Sequence, residues 1–117
     1  MRATAAVNRA LAFIDCNLDE RLTLLAIAGV LAVSPYRLAR VFKRAMGMAP
    51  HQYVIRRRME RGKELLASSD LPLADIALAV GCASQSHFCA LFHRSTGTTP
   101  LSYRACKNLI YAARRRN

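Results

Sequence analysis

Nine basic residues stand between positions 34 and 63, namely Arg37, Arg40, Lys43, Arg44, Arg56, Arg57, Arg58, Arg61 and Lys63, against a single acid, Glu60. The chemistry such a set can do is attraction of a polyanion: DNA, RNA or an anionic membrane surface. The whole chain of 117 residues agrees, with 18 Lys plus Arg, 7 Asp plus Glu and a formal charge of +11. The next stretch reverses the pattern. From Glu64 to His93 there is no Lys or Arg, and Glu64, Asp70 and Asp75 are acidic. The N-terminal half is therefore expected to supply most of the phosphate attraction. The C-terminal half would add shape and polar contacts, helped by Arg94, Arg104 and Lys107. The competing reading is a solvated helix face, in which Arg56–Glu60 and Arg61–Glu64 attract while Glu60–Glu64 repels.

Other chemistries find little support. There is no Gly-rich phosphate loop, no nucleophile with an evident base and no carboxylate pair in an apolar setting, so an enzyme is not expected. Cys89 and His93 are four apart, with Cys82 and His87 nearby, but zinc usually takes four ligands at tight spacing. No metal and no cofactor is expected. The four cysteines, Cys16, Cys82, Cys89 and Cys106, include no Cys-x-x-Cys pair. With no signal peptide legible, reduced thiols in the cytoplasm are the expectation. The apolar run from Leu24 to Val33 is shorter than the roughly 20 residues a membrane span needs.

The elements that must position these residues come in two copies. A shift of 50 carries Ser34, Phe42, Arg44, Gly47, Pro50 and Tyr53 onto Ser84, Phe92, Arg94, Gly97, Pro100 and Tyr103. Upstream, a shift of 49 carries Leu24, Ile27 and Ala28 onto Leu73, Ile76 and Ala77, so the second turn is one residue longer. Each copy reads as a short apolar helix, a turn and a helix opened by a Ser cap, the helix-turn-helix pattern. A duplicated hairpin that only builds a core is the plainer alternative. Between the copies, Pro50 to Ser68 reads as one helix, with Pro50 at the first position and Val54, Met59, Leu65 and Leu66 along an apolar stripe. At 1.5 Å per residue it would be about 28 Å long, near the ~34 Å turn of B-DNA.

Helical periodicity predicts a first helix over residues 5–18, from Val7, Ala10, Leu11, Ile14 and Leu18. Thr23 is a plausible cap for a helix to Leu31 that is apolar almost all round, which predicts burial on several faces. Ala32 and Val33 form the turn. Ser34 and Pro35 open a third helix with Leu38, Val41, Phe42 and Ala45 inward. Gly47 and Gly97 are expected in the left-handed conformation. Ala49 offers no capping side chain, so the long helix is expected to fray at its first turn. The fifth helix is placed over 72–80, the sixth over 84–96 with Phe88, Leu91 and Phe92 inward, and the last over 100–114. Residues 114–117 are expected to be a loose basic tail. Tyr53 and Tyr103 read as core rings with bonded hydroxyls.

The fold class is thus all-α: about seven helices, two homeodomain-like helix-turn-helix subdomains and a linker helix. The expected domains are residues 1–50, a linker over 51–69, and 70–117. One further pattern is informative: Ile76-Ala77-x3-Gly81-x2-Ser84-x-Ser86-x-Phe88-x3-Phe92-x-Arg94-x2-Gly97-x-Thr99-Pro100-x2-Tyr103-Arg104. With Phe42-Lys43-Arg44-x2-Gly47-x2-Pro50-x2-Tyr53 in the first copy, Arg58-Met59 and Leu65-Leu66, it resembles the DNA-binding domain of the AraC/XylS family of bacterial transcription regulators. The likeness covers about residues 5–105, and the chain has the size either of a small stand-alone member or of the C-terminal part of a larger regulator.

The resemblance implies sequence-specific binding of double-stranded DNA by two recognition helices, at 34–46 and 84–96, in adjacent major-groove segments. It implies base contacts from Tyr36, Ala39 and Arg40 in the first helix and from Gln85, Ser86, His87 and Cys89 in the second, where Ala90 also faces outward. Backbone contacts are expected from Ser34, Pro35, Arg37, Lys43, Arg44, Arg57, Arg58, Ser84 and Arg94. Arg40 could offer two donors to O6 and N7 of guanine, and Gln85 could pair with N6 and N7 of adenine. A phosphate contact for Arg40 and a solvated or capping role for Gln85 stay open. Tyr36 could stack on a sugar, touch a thymine methyl, or simply pack.

The chain departs from the family pattern at Ala90, where many members carry a base-reading Arg, and at His93 in place of Lys. It departs again at Cys82 in place of Phe and at Gly62 in place of Ala, the last costing roughly 1 kcal/mol of helix preference. These departures set base reading by the second copy in question. The expected partners are double-stranded DNA, as a monomer on an asymmetric and bent site, with RNA polymerase a further candidate. A dimer would follow if a sensor domain exists. The alternative function is a basic helical protein- or RNA-interaction module without base-specific reading.

Overall fold

A computed structural model describes residues 2–116, and within them the chain forms seven helices and no strand. They are α1 (Arg2–Cys16), α2 (Leu24–Leu31), α3 (Pro35–Met46), α4 (Pro50–Ser68), α5 (Leu73–Ala79), α6 (Gln85–Thr96) and α7 (Pro100–Arg116). By packing, the chain divides into two units after Arg57, so that α4 gives its first turns to one and the remainder to the other.

The first unit packs α1, α2 and α3 around one apolar cluster. Val7, Ala10 and Ile14 of α1, Ile27, Ala28 and Leu31 of α2, and Leu38 and Phe42 of α3 are all buried, closed by Leu22 and by Val54 of α4. The caps follow from residue type. The Thr23 hydroxyl accepts from the Ala26 N–H at 3.1 Å, and Ser34 accepts from Arg37 N–H at 3.0 Å. Between them the chain turns through Ala32, which is left-handed at φ 56°. That conformation costs a non-glycine residue about 1–2 kcal/mol.

Four expectations for this unit are corrected. The first helix runs from Arg2 to Cys16, not over 5–18. In α2 only one face is buried: Leu25 is 73% exposed and Val30 57%, because two neighbouring helices cover a single stripe of so short a helix. Ala45 is exposed, beyond the reach of the Leu38–Phe42 face. The start of α4 is not frayed: it is helical from Pro50, and Gln52 Oε1 accepts the Ala49 N–H at 2.9 Å, the return half of a capping box, which ties down the first turn. A further tie holds α4 to α1. The Tyr53 hydroxyl donates to the Asp15 carboxylate at 3.2 Å, Arg57 Nε donates to it at 2.9 Å, and the Tyr53 ring stands edge-on to Phe42.

The second unit repeats the scheme with the later part of α4 in the place of α1. A shift of 52 carries the buried Val7, Ala10 and Ile14 onto the buried Met59, Gly62 and Leu66. It also carries the Asn17-to-Phe13 carbonyl bond onto the Ser69-to-Leu65 carbonyl bond. Ile76, Ala77, Val80, Cys82, Phe88 and Phe92 complete the core, and Phe92 meets Tyr103 edge-on at 5.5 Å. Gly81 and Gly97 take positive φ, and Ser84 caps α6 through the His87 N–H.

Gly62 is not merely a weak helix former. A Cβ there would stand 2.8 Å from Phe88 Cε1, so glycine makes the room that the Phe88 ring occupies. The C-terminal basic residues are not a loose tail either: α7 stays helical to Arg116, and only Asn117 of that expectation lies outside the described residues. No single helix among the described residues is long and apolar enough to cross a membrane.

Candidate nucleic-acid interface

The helix α3 separates its residues sharply by face. Leu38 and Phe42 are buried at 1% and 0% exposure, so the opposite side is free to meet solvent or a ligand. On it lie Tyr36, Arg37, Arg40, Lys43 and Arg44, all exposed, while Ala39 is half-buried at its margin. Among the described residues, none of the four cations forms an ion pair. The Arg40 guanidinium carbon lies 5.9 Å from the centre of the Tyr36 ring, one helical turn away. That contact limits the rotamers of Arg40 at a cost below that of ordering it from free solution. Four cations and one aromatic thus project from a 12-residue helix whose back is fixed in the core.

The helix α6 has the same scaffold and a different surface. Phe88 and Phe92 bury its back, and Gln85, Ser86, His87, Ala90, His93 and Arg94 are exposed, with Cys89 half-buried. Arg94 is its sole Lys or Arg. The exposed groups are hydrogen-bonding amide, hydroxyl and imidazole, suited to polar contacts and weak as a source of long-range attraction. Ser34 and Ser84 each use their oxygen to cap a helix, which leaves the hydroxyl hydrogen to donate outward.

The arginines of α4 are placed otherwise than the sequence suggested. Arg57 is bound to Asp15, and Arg61 to Glu64 at 2.9 Å. Arg58 is half-buried next to Cys82. Burial lowers its pKa while the cysteine opposes that, and burial pushes the Cys82 thiol up against the pull of Arg58. Arg57 and Arg58, expected at the DNA backbone, are therefore held within the fold. Arg104, also expected to assist DNA contacts, instead donates to the Leu66 and Ser69 carbonyls, each at 3.2 Å, and satisfies the C-terminal end of α4. Lys107 lies over the Tyr103 ring at 5.5 Å. These roles were hidden because each partner is far away in sequence: Asp15 is 42 residues from Arg57, and Leu66 is 38 from Arg104.

Comparison with known proteins yields a consistent picture. A family described as a helix-turn-helix domain matches residues 27–105. The bifunctional transcriptional activator/DNA repair enzyme AdaA of Bacillus subtilis is 36% identical over 92 residues, which is 79% of this chain and 44% of that protein. The C-terminal domain of AraT, a response regulator from Geobacillus stearothermophilus, superposes with a TM-score of 0.86 at 34% identity, covering 91% of this chain and 88% of that one. The DNA-binding domain of AdpA, a global transcriptional factor solved with a target DNA, gives 0.83 at 28% identity, covering 95% and 96%. The chain spans less than half the length of the curated relatives it matches.

Proposed function

This chain belongs to the AraC-type helix-turn-helix family, and on that premise we propose that it is the sequence-specific DNA-binding module of a transcription regulator. In this reading Tyr36, Ala39 and Arg40 address base edges from α3, and Gln85, Ser86, His87 and Cys89 do so from α6. Ser34, Arg37, Lys43, Arg44, Ser84 and Arg94 hold the backbone. Arg57 and Arg58 leave the DNA set and become positioning residues. The chain itself acts as a monomer, in the cytoplasm, on an asymmetric site, without catalysis. RNA polymerase is a partner of the assembled regulator.

One observation carries this reading most: the unpaired cationic face of α3, with Arg40 stacked on Tyr36 above a fully buried Phe42. Exposed cations gathered on one face without carboxylates among them give a local positive potential that attracts a polyanion. A bidentate Arg is the commonest reader of guanine. Selection of fragments from a random double-stranded library by the purified chain tests it. One asymmetric consensus is the expected outcome, and two equivalent inverted half-sites, or no enrichment over single-stranded RNA, would overturn it. With about five phosphates contacted, the logarithm of affinity should fall against the logarithm of salt with a slope of about −4.5.

A further inference from the structure

An open cleft of about 540 Å³ lies between α1 and the start of α3 in the first unit. Ala5, Ala6, Ala32 and Val33 line it, together with the polar residues Arg9, Ser34 and Arg37. Arg9 belongs to none of the DNA contacts assigned above. Both guanidiniums are without a carboxylate partner among the described residues. Two like charges kept at one small cleft repel each other, and a single anion between them removes that repulsion. Walls of alanine and valine give an organic ligand little to grip, whereas a compact tetrahedral oxyanion needs only the donors.

We propose that Arg9 and Arg37 form a two-arginine clamp on one DNA backbone phosphodiester, with the Ser34 hydroxyl as third donor. The proposal rests on the DNA-binding reading and adds α1 to the surface that holds the duplex. The second unit supplies an internal control. The shift of 52 that superimposes α1 on the later part of α4 takes Arg9 to Arg61, and Arg61 is neutralised by Glu64 at 2.9 Å. In the first unit the residue corresponding to Glu64 is Ala12, and the counterpart of Arg37 under the shift of 50 is His87. The first copy thus keeps two charges free where the second keeps one paired and replaces the other by imidazole. The clamp belongs to the first copy alone.

The test uses the full chain and its selected duplex, with single phosphates replaced in turn by uncharged methylphosphonates. Wild type should lose about tenfold in affinity at one particular linkage beside the first recognition helix. Arg9→Ala should lose a similar factor on unmodified DNA and show a clearly smaller penalty at that same linkage, where Arg37 remains, with its salt slope shallower by at most about 0.9. Arg37→Ala should show a smaller penalty at the same linkage, Arg9→Lys should keep the sensitivity, and Arg61→Ala should leave the whole profile unchanged. If Arg9→Ala binds unmodified DNA as wild type does, or retains the wild-type profile, the clamp is refuted while DNA binding stands. If wild type itself binds no duplex, the DNA reading falls and takes the clamp with it. Inhibition by inorganic phosphate beyond that of chloride at equal ionic strength, lost in Arg9→Ala, would assign the cleft to free phosphate and overturn the proposal.

Discussion

The two units are built on one plan and finished differently. Both bury the back of the second helix of their helix-turn-helix on a pair of side chains nine and five residues before its glycine cap, Leu38 and Phe42 in one, Phe88 and Phe92 in the other. Where the first packs Leu38 in the same core as Ala10, the second packs Phe88 directly onto Gly62. One larger ring is matched by one smaller partner, so core volume is kept while the residues change. The turns differ in the opposite sense: the first unit forces Ala32 into the left-handed region, and the second has Gly81 there at φ 85°. The surfaces differ most. The helix α3 carries four cations with no ion pair among the described residues, whereas α6 carries only Arg94. Packing constrains volume and backbone conformation in both copies alike, while nothing in the fold constrains the outward face. The outward faces could therefore diverge at no cost in stability.

The largest expected effect tests that surface difference. Arg40→Ala should lose about 1–3 kcal/mol of discrimination at one or two base pairs, read by binding to a panel of single-substitution sites. Gln85→Ala should lose less, because α6 adds little attraction of its own. Equal losses for the two would erase the functional asymmetry drawn here. The core exchange comes next. Gly62→Ala should cost about 1–3 kcal/mol from the clash with Phe88, reduced by the helix preference regained, for a net loss of up to about 2 kcal/mol. Joined to Phe88→Leu, it should cost clearly less than the two single changes summed, in urea unfolding. Strict additivity would mean that the Gly62–Phe88 contact carries no coupling.

Smaller again is the turn. Ala32→Gly should stabilise by up to about 1 kcal/mol as left-handed strain is relieved against added unfolded-chain entropy, whereas Gly81→Ala should destabilise by about 1–2 kcal/mol. Thermal melts that rank the two the other way would contradict the strain assigned to Ala32. The smallest effect concerns Cys82. Its thiol pKa is raised in the folded state by burial, so the native protein holds that proton more tightly than the unfolded chain. The associated stability is fully present below the unfolded thiol pKa and falls as pH rises through the folded one. Cys82→Ala should flatten that alkaline decline, and Cys82 should be alkylated more slowly than the exposed Cys16 and Cys106.

Much of this was legible in the chain itself. The caps at Thr23, Ser34 and Ser84, the glycine ends at Gly47 and Gly97, and the inward Phe42, Phe88 and Phe92 are local or periodic signals. Each one is satisfied by neighbours within a few residues or by a repeat of 3.6. The exposed cationic face of α3 was legible for the same reason, because an exposed helix face needs nothing beyond its own helix to be exposed. The Gln52 bond to the Ala49 N–H spans only three residues, yet the sequence gives little sign of it, because Ala49 has no side-chain oxygen to complete the usual capping box.

The sequence by itself therefore determined seven helical stretches, the ends that a Ser or Thr cap or a glycine marks, and the uneven distribution of charge, all short-range properties of a helical chain. Only the tertiary structure decided which arginines are free. Arg57 turned to Asp15, Arg104 to the end of α4 and Arg58 toward Cys82, whereas Arg9 and Arg37 line one cleft with no ion pair among the described residues. The physical reason is that a long cationic side chain takes the nearest acceptor in space, and which acceptor that is depends on helices brought together from tens of residues away.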